Sequence, residues 1–393
     1  MTQAAPGSLA IIGAGLAGLT AALALLQEGF SVRVYEQAAA LGEVGAGITV
    51  SPGAGRALAS LGLGPKLLAA SLPVPDIAFV HYRTGALLAG KFDQHAPPDL
   101  GFRAARHIHR ADLHALLLAA VRAHDSGAVV TGARLAALEQ GPEGVAMRFA
   151  DGASAEAEAL IAADGVRSTV RELCFGDDSP PFAGQVAFRC LIPRAEAAPF
   201  IGAGNAVVSI GPGRIFNRYL IRGGEVVNVI GIARATAWQQ EGWSTPATIE
   251  EFLAAFEDFH PDVRGLISRA PEKSLIKWGL FARPRAQHWA QGRVLLIGDA
   301  AHPMLPFLGL GAATAIEDGI VLARALALGR GLEAGFAIFQ RSRAARVEAV
   351  RAASVSQGEI IQAADPDRAG LSNAPSQDPA IFDYDPGSAP LAN

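Results

Sequence analysis

The chain has 393 residues, half of them hydrophobic and only 18% charged, enough apolar material for one or two cores and too much for a disordered chain. A formal net charge of −4 gives no electrostatic attraction to nucleic acid or to an anionic membrane. Two cysteines, Cys174 and Cys190, are too few for a disulfide framework and point to a reducing, cytoplasmic setting.

Residues 9–26 are uncharged and almost wholly apolar, close to the length of a membrane span. No basic stretch precedes them, no small-residue cleavage pattern follows, and Gly13, Gly15 and Gly18 interrupt the run. They read as a buried strand at 9–12, a glycine turn, and a helix through Gln27 that Gly29 ends. Residues 31–36 form a second strand that finishes on Glu36, 18 positions past Gly18. That order builds a dinucleotide cradle: Gly13 allows the tight turn, Gly15 lets backbone approach a pyrophosphate, and Gly18 packs helix on strand. The phosphates then meet the free N–H groups of the helix N-terminus, and the acid accepts from a ribose diol, favouring FAD or NAD over NADP.

Further along, 53–61 and 111–123 read as helices, and 128–131, 145–149 and 157–162 as strands. From 182 to 233 the pattern changes to alternating runs separated by turn glycines, at 185–191, 206–210, 214–222 and 225–232, as in an antiparallel sheet. Thr248 and Glu251 stand at capping-box spacing at the start of a helix expected over 249–259. A buried strand at 293–297, a helix at 313–327 and one or two helices over 331–362 follow. A tail rich in Pro, Asp, Ser and Gly runs over the surface from Asp365. The expected fold class is α/β, a Rossmann-type FAD-binding domain interrupted by a β-sheet substrate domain, with C-terminal helices. The discontinuous nucleotide domain takes 1–75, 100–180 and 276–362, the β-rich domain 76–99 and 181–275, and the tail 363–393.

Two more motifs carry chemistry. At 160–168 a strand runs into Asp164-Gly165, with Arg171 three residues past Ser168. At 292–303 a strand delivers Gly298-Asp299 to a turn, and Pro306 through Gly311-Ala312 leads into a helix. An Asp so placed reaches a ribityl hydroxyl, and the helix N-terminus after it stabilises negative charge on a reduced flavin.

With Gly45-Ala46-Gly47-Ile48, the 109–114 segment His-Arg-Ala-Asp-Leu-His and the glycine-rich hairpin at 219–228, this trio resembles the FAD-dependent aromatic-ring monooxygenases over roughly residues 8–355. Within them the branch of salicylate hydroxylase and 6-hydroxynicotinate 3-monooxygenase is most similar. The resemblance implies that Gly13, Gly15, Gly18 and Glu36 hold the ADP half of FAD, that Gly47 and Arg110 contact the cofactor, and that Leu135 lies by the adenine. It implies that Asp164 and Gly165 serve both FAD and a transient NADH or NADPH, and that Asp299 binds the ribityl chain. It implies that Pro306, Gly311 and Ala312 line the flavin ring and that Tyr219 faces the reaction; residues two apart on a strand share a face, so Asn217, Ile215 and Ile221 lie on Tyr219's side. The implied activity uses NAD(P)H and O2 to hydroxylate a small aromatic or heteroaromatic compound through a flavin hydroperoxide, in a monomer or homodimer without a membrane span or nucleic acid. The alternative is a flavin monooxygenase that epoxidises or hydroxylates a larger, non-phenolic metabolite. His302 belongs to the flavin-binding turn in this resemblance, with a structural role.

The sequence departs from the family pattern at Ile215, where relatives have His, at Leu220, where they have Pro, and at Leu310, where they have Gln. These changes predict an apolar reaction zone whose substrate is activated by its own ring electrons or arrives ionised. Thr49 remains as a polar candidate. Arg189 and Arg214 are candidates for a substrate carboxylate, against the simpler reading of each as a solvated or sheet-edge charge. His107, His109 and His114 lack a carboxylate in ligand register, so no metal site is expected.

Overall fold

The computed structural model describes residues 8–42, 45–92, 100–176, 180–238, 245–283 and 288–392. Residues 93–99, inside the expected β-rich insert, and 177–179, at its edge, lie outside the described residues.

The 9–26 run is a strand, Ser8–Ile12, a glycine turn, and a helix, Leu16–Gln27, of 12 residues. Among the described residues no helix is long and apolar enough to cross a membrane. Ser8–Ile12 is the centre of a parallel sheet, flanked by Ala159–Ala162 on one side and Ser31–Glu36 on the other. Val294–Leu296 and Val129–Thr131 extend it outward. Strands buried on both faces need continuous apolar runs, which is what Ile11, Val34, Leu160, Ile161 and Leu295 supply. The helix Gly311–Ala327 crosses Leu16–Gln27 so closely that a Cβ on Gly319 would lie 2.7 Å from the Ala21 amide. The residues expected as one strand at 157–162 divide at Glu158: Ser154–Ala157 pairs in a separate antiparallel sheet and Ala159–Ala162 joins the parallel one.

The second body is an eight-stranded sheet among the described residues, in the order Thr245–Pro246, Ile276–Phe281, Phe182–Pro193, Val226–Arg234, Arg214–Ile221, Ala206–Gly211, Ala78–His81, Leu87–Ala89. Ile276–Phe281 pairs antiparallel with Phe182–Pro193, so the chain leaves this sheet after Phe281 and later than the boundary expected at 275. One face of the sheet is closed by the helices Ile249–Ala255 and Pro261–Ile267. Phe188 stacks on Phe252 with centroids 4.8 Å apart, and Gly231 leaves the gap that the Phe252 ring fills, a Cβ there meeting it at 2.4 Å. The capping box forms as expected, Thr248 and Glu251 each satisfying the other's backbone N–H. The helix stops at Ala255 rather than 259, where Phe256 leaves helical geometry, and a second one opens at Pro261, since proline suits a first helical turn.

The long helix Leu332–Ile361 ends against both bodies. Gln362 donates its amide to the Gln185 side chain (3.0 Å), and Ser354 Oγ donates to the Leu305 carbonyl (2.6 Å). The tail then crosses the nucleotide-binding body, with Tyr384 over the guanidinium groups of Arg343 (5.2 Å) and Arg346 (4.7 Å).

Candidate active site

The uncovered face of the eight-stranded sheet looks across a cavity of about 1330 Å³ at the parallel sheet's glycine turn. Cross-strand partners share a face, so the register fixes what this wall presents. One row reads Leu191, Asn228, Tyr219, Ala206; the next reads Ile276, Arg189, Ile230, Asn217, Val208, Phe79. The third row carries Trp278, Ala187, Ile232, Ile215 and Ile210. Of these rows, the residues that line the cavity are apolar except for Tyr219, Asn217 and Arg189.

Of the residues expected to bind FAD, Gly13, Gly15, Glu36, Gly47, Arg110, Leu135, Asp164, Gly165, Asp299, Gly311 and Ala312 all line this one cavity, with Tyr219, Asn217, Thr49 and Pro306. Gly18 stands behind it. A Cβ there would fall 2.0 Å from the Gly13 carbonyl, so Gly18 serves the helix–strand contact.

The glycine turn fits a pyrophosphate. Gly13 has φ +101°, and a Cβ on it would meet the Ala163 carbonyl at 2.5 Å, while beside Gly15 there is open space within 4 Å. Gly15 caps the Leu16–Gln27 helix with no side chain, so the first amides of that helix face the cavity without a protein cap. Glu36 accepts from the amides of Ala14 and Ala38 (both 2.9 Å), which holds its carboxylate at the turn. Asp164 accepts from the Val170 amide through Oδ2 (3.2 Å), and its buried Oδ1 has no partner. Burial raises the carboxyl pKa of Asp164, and of Asp299, where the charges of His302 and Arg110 oppose the shift. An orphaned buried carboxylate oxygen beside open phosphate-binding amides fits a polyhydroxylated dinucleotide, which donates hydroxyl hydrogens to the first and accepts from the second.

The turn that carries Asp299 is fixed from behind. Asp318, fully buried on Gly311–Ala327, accepts from the Gly298 amide (2.8 Å) and lies 2.6 Å from His302 Nε2. Its other oxygen takes the Arg343 Nε donor at 2.8 Å, and Arg343 also pairs with Glu317 at 2.8 Å. His302 itself does not line the cavity.

Three expectations change. Leu310 is buried in the main core at the N-cap of Gly311–Ala327 and does not line the cavity, so it says nothing about the reaction zone. Arg214 faces the helices and pairs with Asp258 at 2.8 Å, because even-numbered positions of its strand point away from Tyr219. Arg189 is neither solvated nor at an edge: it lies in the third strand of the sheet, lines the cavity, and stands 5.1 Å over the Trp278 ring. Its buried Nε has no partner. Burial lowers the guanidinium pKa and Tyr219 opposes that shift, so an anion in the cavity would relieve an unfavourable charge. Ile215 lines the wall as an apolar residue, and Leu220 packs on the helix side.

The histidines separate. His109 Nδ1 caps the Arg110–His124 helix by accepting from Ala111 (3.2 Å), and His114 Nε2 lies 2.7 Å from the Ala14 carbonyl. His107 lines the cavity against Tyr219. Among the described residues no group of His, Cys, Asp or Glu is arranged to hold a metal.

A Rossmann-type body and an antiparallel sheet enclosing one cavity, with a phosphate turn on one wall and an apolar face with a single arginine on the other, define a two-body flavoprotein oxidoreductase. Residues 8–354 match the family model described as FAD binding domain. The chain is 36% identical over 350 residues to 6-hydroxynicotinate 3-monooxygenase of Pseudomonas fluorescens, covering 87% of this chain and 89% of that protein. It is 33% identical over 360 residues to 3-hydroxybenzoate 6-hydroxylase of Polaromonas naphthalenivorans, covering 90% and 88%. Among solved structures, a salicylate hydroxylase substrate complex superposes with TM-score 0.81 at 24% identity over 98% of this chain and 97% of that one. HpxO of Klebsiella pneumoniae, complexed with FAD and uric acid, gives 0.80 at 25% identity over 96% and 93%. The chain belongs to the FAD-dependent aromatic-ring monooxygenases. It is an FAD enzyme of the aromatic-hydroxylase type, with NAD(P)H as the family's reductant.

Proposed function

We propose that this enzyme hydroxylates a small, single-ring aromatic or heteroaromatic compound bearing an anionic group, with O2 as the oxygen source. One observation carries the reading: the FAD-binding residues and the apolar sheet face with Arg189 and Tyr219 line the same cavity. Bound FAD supplies the two-electron activation of O2 that an electron-rich ring needs.

The chain's own residues then divide the work. Gly13, Gly15, Glu36, Gly47, Arg110, Leu135, Asp164, Gly165, Asp299, Gly311 and Ala312 hold the cofactor, and Gly18 seats the helix that carries the phosphate site. Arg189 takes the substrate anion, either a carboxylate or an ionised ring hydroxyl. Burial pushes the Tyr219 phenol well above its usual range, so it stays protonated and donates a hydrogen bond. Asn217 adds a donor and an acceptor beside it. Ile215, Ile230, Ile232 and Trp278 keep water away, which strengthens each polar contact and protects reactive species from hydrolysis. Pro306 shapes the approach to the flavin ring. The unbridged thiols of Cys174 and Cys190 support a cytoplasmic setting; a monomer or homodimer suffices, since every site residue comes from one chain.

Titrating hydroxybenzoates and hydroxypyridine carboxylates into the yellow holoenzyme tests this. A saturable change in the flavin absorption band that Arg189→Leu abolishes is the expected result. A band indifferent to every acid would count against an anionic aromatic substrate.

A further inference from the structure

His107 lies on the strand Ala105–His109, which pairs with Gly47–Val50 so that His107 stands opposite Thr49. Both side chains line the cavity. The imidazole packs on the Tyr219 ring with centroids 3.9 Å apart and planes 33° from parallel. Gly47, on the same face of that strand pair as His107, also abuts the Tyr219 ring, and its amide donates to Asn228 Oδ1 at 2.8 Å. Among the described residues the His107 side chain makes no hydrogen bond. Two strands, one from each body, therefore deliver an imidazole and a phenol to the same corner, one sheet row from Arg189.

We propose that His107 is a substrate-contacting residue that accepts a hydrogen bond from a ring hydroxyl or ring N–H of the compound whose anion Arg189 holds. The proposal rests on the sheet face being the substrate site. Three polar groups then read three features of one ring. Arg189 only donates, Tyr219 is a protonated phenol, and His107 supplies the strong neutral acceptor. Burial drives the imidazole pKa down to about 3, so its ring nitrogen keeps a lone pair at neutral pH rather than a second proton. A cation at that corner would repel Arg189; a neutral acceptor does not. The implied substrate class is an aromatic acid or oxyanion with a neighbouring protonated donor, such as a hydroxybenzoate or the lactam form of a hydroxypyridine acid.

Binding of 3-hydroxybenzoate and of benzoate to the FAD holoenzyme, read from the flavin band, tests it. The holoenzyme should bind the hydroxylated acid about tenfold more tightly, the worth of one neutral hydrogen bond in a dry site. His107→Phe keeps an aromatic ring on Tyr219 and should erase that preference while benzoate binding stays within about twofold. His107→Gln, which restores a carbonyl acceptor, should return part of it. A preference unchanged in His107→Phe, an equal loss for both acids, or no preference in the unaltered enzyme would overturn the proposal. Arg189→Leu separates the two readings. If it leaves both acids unaffected, the assignment of the sheet face fails, whatever the ratio in His107→Phe shows.

Discussion

A methyl group on Gly47 would sit 2.4 Å from Cε2 of Tyr219. The strands Gly47–Val50 and Arg214–Ile221, both lining the cavity, thus touch without room for one carbon. Gly47→Ala must displace a ring that is packed on His107 and buried in the sheet. Its expected cost is about 1–3 kcal/mol of stability, as for overpacking elsewhere, together with weaker binding of both FAD and substrate. Thermal unfolding and flavin retention measure it; unaltered values for both would mean that the contact relaxes freely.

Arg189→Leu should reduce kcat/KM by about ten- to a hundredfold, the range for a lost charge-assisted hydrogen bond, with FAD content unchanged. Arg189→Lys keeps the charge but loses the planar donor set and the stacking on Trp278, and should recover only part of the activity. Steady-state kinetics on any accepted substrate decides this.

The Asp318 carboxyl is fully buried, which alone would raise its pKa, but His302 and Arg343 hold it at about 2. A depressed folded-state pKa contributes stability that is complete above the unfolded value near 3.9 and is lost as pH falls toward 2. Acid unfolding in that window should therefore show a strong Asp318 contribution. Asp318→Asn leaves Arg343 buried with one fewer counter-charge and should cost about 3–5 kcal/mol. Because Asp318 also holds the Gly298 amide, the same variant should lose FAD more readily, which flavin release on dilution would detect.

Asp299→Ala removes the carboxylate from the cavity without touching the Gly298 amide bond to Asp318. FAD affinity should fall by about ten- to a hundredfold while the apoprotein unfolds at nearly the same temperature. An apoprotein destabilised as much as Asp318→Asn would place Asp299 in the structural network instead.

Activity should show no step from His107 or Tyr219 between pH 5 and 9. Burial keeps the imidazole neutral above about 3 and the phenol protonated throughout that range. The ratios of kcat/KM for the unaltered enzyme to Tyr219→Phe and to His107→Phe should each stay flat across it; a ratio that bends near neutrality would show that the replaced group titrates there.

The cofactor half was legible because its chemistry is local. Gly13, Gly15 and Glu36 sit in a short motif whose spacing sets the turn, Asp164 and Asp299 stand in strand exits that the family resemblance singles out, and all five line one cavity. The odd-numbered face of Arg214–Ile221 was legible for the same reason, since alternation is a property of one strand. Arg189 and His107 were not. Whether a strand arginine meets solvent or a cavity depends on which strands flank it, and Ile276–Phe281 arrives from 87 positions further along. His107 carried no role in the sequence beyond a histidine group without a carboxylate in ligand register; its place becomes visible only when its strand is paired with Gly47–Val50 and its ring lies on Tyr219. Leu310 misled for the opposite reason: its motif position placed it by the flavin, and as the N-cap of Gly311–Ala327 it turns into the core. The Asp318–Arg343 pair joins two helices through side chains alone and leaves no pattern in either.

Oxygen uptake measured beside NAD(P)H oxidation, in the presence of aromatic acids, tests the central claim most directly. Purified enzyme should carry a flavin absorption band, and an accepted acid should accelerate NAD(P)H oxidation with one O2 consumed and one hydroxyl added to the ring for each reductant. A colourless protein, or reductant consumed without any ring hydroxylation across the panel, would contradict it.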